Sequence, residues 1–287
     1  MELDELKKAI AETIKTLEGY RDGIKHYDRL CWCAEYIKER FTELGFSVEN
    51  DDFQYNDRWY SNIIATAETL ERPSQWILVG AHYDAVAGSP GADDNASGVA
   101  VMLEVARIIG PRRSLKFVAF SLEEPQQSSF EFLIGSKHFV QKMVSQGHTY
   151  EAVFVLESVG FISHETGSQL LPPFVDAPDT GDFIGLIGNK KALDLMNTFK
   201  AMATRYVPQL KVVTYKAPLR GYMVPETRFS DHAPFWDAGF PAVMITDTAM
   251  FRNPYYHTEY DRMEFLSLDF MAQITVALVK TLESLLQ

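Results

Sequence analysis

The sequence predicts an α/β fold: a single domain over residues 1–287, with a mixed, mainly parallel central sheet flanked by helices on both faces. Three observations carry this. The runs 76–81, 115–122 and 152–156 are short and almost wholly apolar, as strands buried on both faces of a parallel sheet are. Stretches of helical apolar spacing alternate with them. The length of 287 residues suffices for a substantial buried core.

In chain order, residues 3–19 and 27–44 read as amphipathic helices, the second carrying Leu30, Ala34, Ile37 and Phe41 on one face and stopping at Gly45. Residues 46–55 and 59–67 read as paired strands, followed by the strand at 76–81. Helical spacing returns over 96–109, then strand 115–122, a helix around 136–145 and strand 152–156. The stretch 163–182, rich in Pro, Gly, Ser and Asp, is the longest loop-like segment and is placed at the rim of a site. Residues 241–246 read as a further strand and 268–286 as a closing helix, with no internal repeat.

Lys and Arg total 27 against 39 Asp and Glu, a net charge of −12, which opposes binding to nucleic acid or to an anionic membrane. The start of the chain lacks the apolar core of a signal peptide, and no stretch approaches the roughly 18 apolar residues of a membrane span, so a cytoplasmic location is expected. Cys31 and Cys33 lie two apart on a helix and are read as buried thiols.

Chelating side chains gather where the apolar strands run out: His82 and Asp84 after 76–81, Asp94 in the next turn, Glu124 after 115–122, Glu157 after 152–156, and His257 near the end. In an open α/β sheet, ligands collect outside the carboxyl ends of the strands, so these residues point to one polynuclear metal site. His82 and Asp84 point the same way on an extended backbone, which lets the carboxylate hold the far ring N–H of the imidazole. In Gly91-Ala92-Asp93-Asp94-Asn95-Ala96-Ser97-Gly98 the glycines permit a sharp turn and the acids exceed what helix capping needs. Glu123 and Glu124 face opposite ways, so one can bind a metal while the other addresses the attacking water. Glu157 follows four apolar residues, where a carboxylate is costly unless paired or coordinated.

Together these residues resemble peptidase family M28, whose pattern is His-x-Asp, Gly-x-x-Asp-x-x-Ser-Gly, a Glu-Glu pair, a strand-end acid and a late histidine. The likeness runs from about His82 to Asp261. It implies a zinc-peptidase-like fold in which His82 and Glu157 hold one metal, Glu124 and His257 the other, and Asp94 bridges them. It further implies that Asp84 orients His82, that Glu123 is the general base, that Tyr256 helps hold the substrate carbonyl, and that the Asp94–Asn95 peptide bond is cis. The three carboxylates Asp94, Glu124 and Glu157 together with Glu123 balance two divalent ions. Mixed imidazole and carboxylate ligands suit Zn2+, with Co2+ or Mn2+ as possible occupants.

The implied function is hydrolysis of a peptide or related amide, as an aminopeptidase, by a metal-bridging water activated by Glu123. The substrate is a peptide or small amide; oligomeric state is not legible. Two alternatives stay open: a glutaminyl-cyclase-like acyltransferase with one zinc, and a non-catalytic metal-binding relative. Glu157 stands where many members have Asp, and residues 125–134 form a longer interval than in simple family aminopeptidases, as they do in the cyclases. Tyr222 lies too far upstream of Ser230-Asp231-His232 to match the pocket tyrosine of some members. Ser230 is read as the N-cap of a short helix ending at Gly239, and Asp231 as a neighbour of the metal ligands. Phe161, Phe174, Phe183, Tyr222, Phe251 and Tyr255 are candidate pocket aromatics.

Overall fold

Within the strand Trp76–His82 (β3) every residue is buried, yet the side chains divide cleanly. Ile77, Val79 and Ala81 enter one apolar cluster, and Trp76 and Leu78 enter another. The period of two thus makes one apolar run the partition between two cores. The strand Leu115–Phe120 (β4) does the same, sending Phe117 and Ala119 one way and Val118 and Phe120 the other. The computed structural model, which describes residues 3–69, 73–126, 131–172 and 175–287, sets these two strands inside an eight-stranded sheet.

The chain begins with helices α1 (Leu3–Leu17) and α2 (Tyr27–Glu43) and the antiparallel pair β1 (Ser47–Tyr55) and β2 (Arg58–Thr66). After β3 come α3 (Gly98–Ile109), β4, α4 (Ile134–Ser145) and β5 (Tyr150–Glu157). Then follow β6 (Phe183–Gly188), α5 (Leu193–Tyr206), β7 (Lys211–Lys216), the short α6 (Ala233–Asp237), β8 (Ala242–Thr246) and α7 (Leu268–Leu285). The sheet order is β1-β2-β4-β3-β5-β8-β6-β7. The pairs β3/β4, β3/β5, β5/β8 and β6/β7 are parallel; β1/β2, β2/β4 and β6/β8 are antiparallel. Residues from α1, α2, α3, α5 and α7 build the larger core on one face, and those from α4 and α6 close the other. Each fully buried Ile, Leu or Phe in these layers stabilises the fold by about 1.5–3 kcal/mol before chain entropy is counted.

Register aligns the strand ends. His82 is level with Phe120 in β3/β4, and Glu157 with Thr246 in β5/β8. The residues that follow these four strands therefore meet along one edge.

The predicted elements recur with small shifts: β4 ends at Phe120 because Leu122 turns left-handed (φ 54°), and α4 starts at Ile134. The β6-α5-β7 unit is additional; β7 is an edge strand of half-exposed residues, and the two glycines of β6 weaken its strand signal. Cys33 is buried but Cys31 is exposed, correcting the expectation of two buried thiols: neighbours two apart on a helix lie on different faces, and only one can meet the core. No described helix is long and apolar enough to cross a membrane.

Candidate metal centre

His82, the last residue of β3, is fully buried, and Oδ1 of Asp84 lies 3.4 Å from its Nδ1. The same carboxylate accepts the backbone N–H groups of Glu123 (3.1 Å) and Glu124 (3.2 Å). Asp84 thus ties the β3 end to the loop after β4 and sits beside the His82 ring.

The turn Ala92–Ser97 before α3 is wider than an α-helix, with Gly91 in the left-handed region (φ 62°) and a cis Asp94–Asn95 bond. A Cβ on Gly91 would stand 2.4 Å from the Asp94 carbonyl oxygen, so only glycine fits. The carboxylate of Asp261 accepts the N–H groups of Asp93 and Asp94, and Asn95 bonds the Leu156 carbonyl and the Ser158 N–H. Arg21 holds the turn from below, donating to the carbonyls of Tyr83, Pro90 and Gly91 at 2.6–2.8 Å while itself 1% exposed.

The side chains converge about Asp94. Its Oδ1 lies 3.2 Å from Nε2 of His82, and its Oδ2 lies 3.1 Å from Nε2 of His257. Glu157 approaches His82 Nε2 at 3.4 Å and Glu124 approaches His257 Nε2 at 3.2 Å. His82, Asp94 and Glu157 form one group that could hold a metal ion, and Asp94, Glu124 and His257 a second, each with donor atoms within 4.8 Å of one another. Oδ1 of Asp94 and Nε2 of His257 are buried without a hydrogen bond, so both remain free to donate to a cation. One imidazole nitrogen and carboxylate oxygens per group fit a first-row divalent ion. Glu123 stands apart from both groups, its Oε2 3.9 Å from His82 Nε2. Leu122, Ser158 and His257, in the loops that carry or flank the donor residues, have left-handed backbone.

The electrostatics follow from packing four acids in a buried space. Burial alone would lower the His82 and His257 imidazoles. The carboxylates of Glu157 and Glu123 raise His82 well above its ordinary value, and Glu124 and Asp94 raise His257 to about 10. Burial raises Glu123 well above the usual carboxylate range, and burial with the Asp94 charge brings Glu124 to about 7. Asp94, between two imidazoles, is held below its ordinary value against the effect of burial.

The sequence profile of peptidase family M28 matches residues 62–282. The chain belongs to this family. It is 32% identical to the protein YfbL of Escherichia coli (strain K12) over 97% of this chain and 87% of that one. It is 25% identical to a probable leucine aminopeptidase of Arthroderma otae, covering 94% of this chain and 68% of that one. Among solved structures, the aminopeptidase LapA of Legionella pneumophila superposes with a TM-score of 0.76 at 21% identity, over 99% of this chain and 73% of that one. The glutaminyl cyclase of Macrostomum lignano superposes with a TM-score of 0.73 at 18% identity, over 99% and 91%. The M28 chain is accordingly a hydrolase of the peptidase type.

Beside the candidate metal centre of this M28 peptidase lies a mainly apolar cavity whose lining includes Glu157, Tyr256, Met244, Phe183 and Phe251. Part of the 163–182 loop, including Leu171 and Val175, borders it, as expected of a rim. Tyr256 stacks on the His257 ring (centroids 3.8 Å apart), and burial raises its phenol well above its ordinary value. Of the candidate aromatics, Phe183 and Phe251 line the cavity. Phe161 packs edge-on against Tyr255, which stacks on Phe265; Tyr222 lies exposed beneath Arg228. Phe174 lies outside the described residues, as does part of the 125–134 interval. Phe229, Tyr215 and Leu186 join the lining without having been singled out in the sequence.

Ser230 is not an N-cap. The helix α6 starts at Ala233 with no side-chain cap, and Ser230 Oγ instead donates to Glu157 Oε2 at 2.6 Å. Asp231 is fully buried, and burial raises its carboxyl to about 7. Arg21, Ser230 and Asp261 were missed as site residues; a buried arginine or serine leaves no periodic trace in a sequence.

Proposed function

We propose that this M28 chain is a zinc-dependent aminopeptidase, a reading carried by two donor groups that share Asp94 while Glu123 stands 3.9 Å from His82, outside both. His82 and Glu157 would hold one ion, Glu124 and His257 the other, and Asp94 both. Two divalent ions, zinc or in its place cobalt or manganese, would supply Lewis acidity toward the scissile carbonyl and lower the pKa of water. Glu123 takes the proton from the attacking water at its carboxylate and returns it to the leaving nitrogen, a role left open to it because it lies outside both donor groups. Asp84 keeps His82 in one orientation, and Ser230 does the same for Glu157. The Tyr256 hydroxyl, kept protonated by burial, donates to the oxyanion.

A second reading, glutaminyl-cyclase-like acyl transfer, is favoured by one observation: the Macrostomum lignano cyclase is matched over 91% of its length, against 73% for LapA. The metal-replete protein should be assayed on aminoacyl amides, amino-terminally blocked peptides and peptides with amino-terminal glutamine. Release of free amino acids from the amino end supports the aminopeptidase. Ammonia release with cyclisation, and no other turnover, would replace it by the cyclase; no turnover on any amide would leave a metal-binding protein.

A further inference from the structure

The cavity beside Glu157 is apolar over most of its wall but carries three carboxylates: Glu157, Glu226 and Asp176. Among the described residues that line it, none is Lys, Arg or His. The three acids are not equivalent. Glu157 is committed to Ser230 and His82 at the metal end, and Asp176 is exposed to water. Glu226, on the short turn Pro225–Arg228, is partly buried, and no described residue forms a hydrogen bond or ion pair with its carboxylate.

The nearest candidate counter-charge in sequence, Arg228, is engaged elsewhere. Its Nη2 pairs with Asp237 at 2.7 Å, its Nη1 donates to the Arg220 carbonyl at 2.8 Å, and its guanidinium lies over the Tyr222 ring. Glu226 is therefore an acid with no charge partner among the described residues, and it lines a cavity walled by Met244, Ile187, Phe251 and Phe229.

Resting on the aminopeptidase reading, we infer that this cavity takes the side chain of a basic amino-terminal residue, lysine or arginine, and that Glu226 meets its cation. The aliphatic stem of such a side chain packs on apolar walls while its charged end seeks a polar partner, which is the pattern the cavity offers. A neutral side chain of equal length fills the same walls but strips water from Glu226 without replacing its hydrogen bonds, an unfavourable exchange. Sites built to pair a polar group discriminate strongly against the analogue that lacks it.

The test is the ratio of kcat/KM for lysyl to norleucyl p-nitroanilide, two substrates of near-equal shape that differ in the terminal charge, measured on metal-replete protein. The ratio should favour lysyl by on the order of tenfold to a hundredfold, fall toward unity in Glu226→Gln, and fall below that in Glu226→Lys. Calorimetric titration with free lysine and free norleucine should show the same order in wild type and its loss in Glu226→Gln. Poor folding of a variant lowers both substrates together and leaves the ratio standing, so it does not mimic the effect. Turnover of both substrates with norleucyl equal or preferred, or a lysyl preference unchanged by Glu226→Gln, overturns the inference and leaves the aminopeptidase intact. Failure to cleave any aminoacyl substrate overturns the aminopeptidase reading and this inference with it.

Discussion

Oγ of Ser230 donates a 2.6 Å hydrogen bond to Oε2 of Glu157, with both residues buried. This bond holds a carboxylate that is one methylene longer than aspartate and so has one more torsion to fix. In Ser230→Ala, affinity for a divalent ion at the His82 group should fall by roughly 10- to 100-fold with the fold intact, the usual cost of losing a residue that orients a ligand. Competition with a chromophoric chelator measures it. Unchanged affinity at both positions would mean that Glu157 needs no such support.

Metal-loaded, desalted protein should carry close to two divalent ions per chain, because the two donor groups share one carboxylate. Asp94→Asn should weaken both positions together. Elemental analysis of the two proteins decides: a stable content of one with full activity refutes the dinuclear site, and loss of one ion alone in the variant refutes the sharing.

Glu123 and Glu124 are adjacent, yet only Glu124 belongs to a donor group. Glu123→Gln should retain metal and fold while lowering kcat by roughly 100- to 10,000-fold. Glu124→Gln should lose metal, since a neutral amide is the poorer ligand. Metal content and turnover, measured in parallel, would exchange the two roles if the outcomes came out reversed.

His232 is fully buried, its ring edge-on to Trp236 and its Nε2–H donating to the Thr227 carbonyl at 2.8 Å. Burial lowers its pKa to about 3. Its folded value lies below the unfolded one, so unfolding takes up a proton between them. The contribution is complete above pH 6.5 and is lost as pH falls from 6.5 toward 3, at about 1.4 kcal/mol per unit while the gap is open. The stability advantage of wild type over His232→Gln should therefore shrink with falling pH. Urea unfolding of both proteins in chelator at pH 7, 6 and 5 checks this; parallel losses would exclude His232 as a source.

Much of the architecture was legible because it rests on patterns that a linear chain displays. The apolar runs that became β3, β4 and β5 could bury both faces only inside a sheet, and acids at their ends had to be paired or coordinated. What was not legible depends on depth or on distant partners. The edge strand β7 buries little and so shows weak alternation. Ser230 reads as a cap from its neighbours alone; its bond to Glu157 joins residues 73 apart. The choice between Phe183, which lines the cavity, and Phe161, which does not, depends on how loops close over the sheet.

Arg21 lies outside the stretch 62–282 that matches the M28 profile, yet its guanidinium is hydrogen-bonded to the backbone that leads into Asp94. The boundary of the family profile is thus not a boundary of folding. A fragment begun at residue 62 would forfeit that guanidinium, the helices α1 and α2 that pack against the sheet and α3, and the β1 partner of β2. Carbonyls now sealed in protein would open to water, and a strand edge would be bared to other chains. Any minimal catalytic version of this enzyme must therefore keep a stretch of sequence that the family profile does not include.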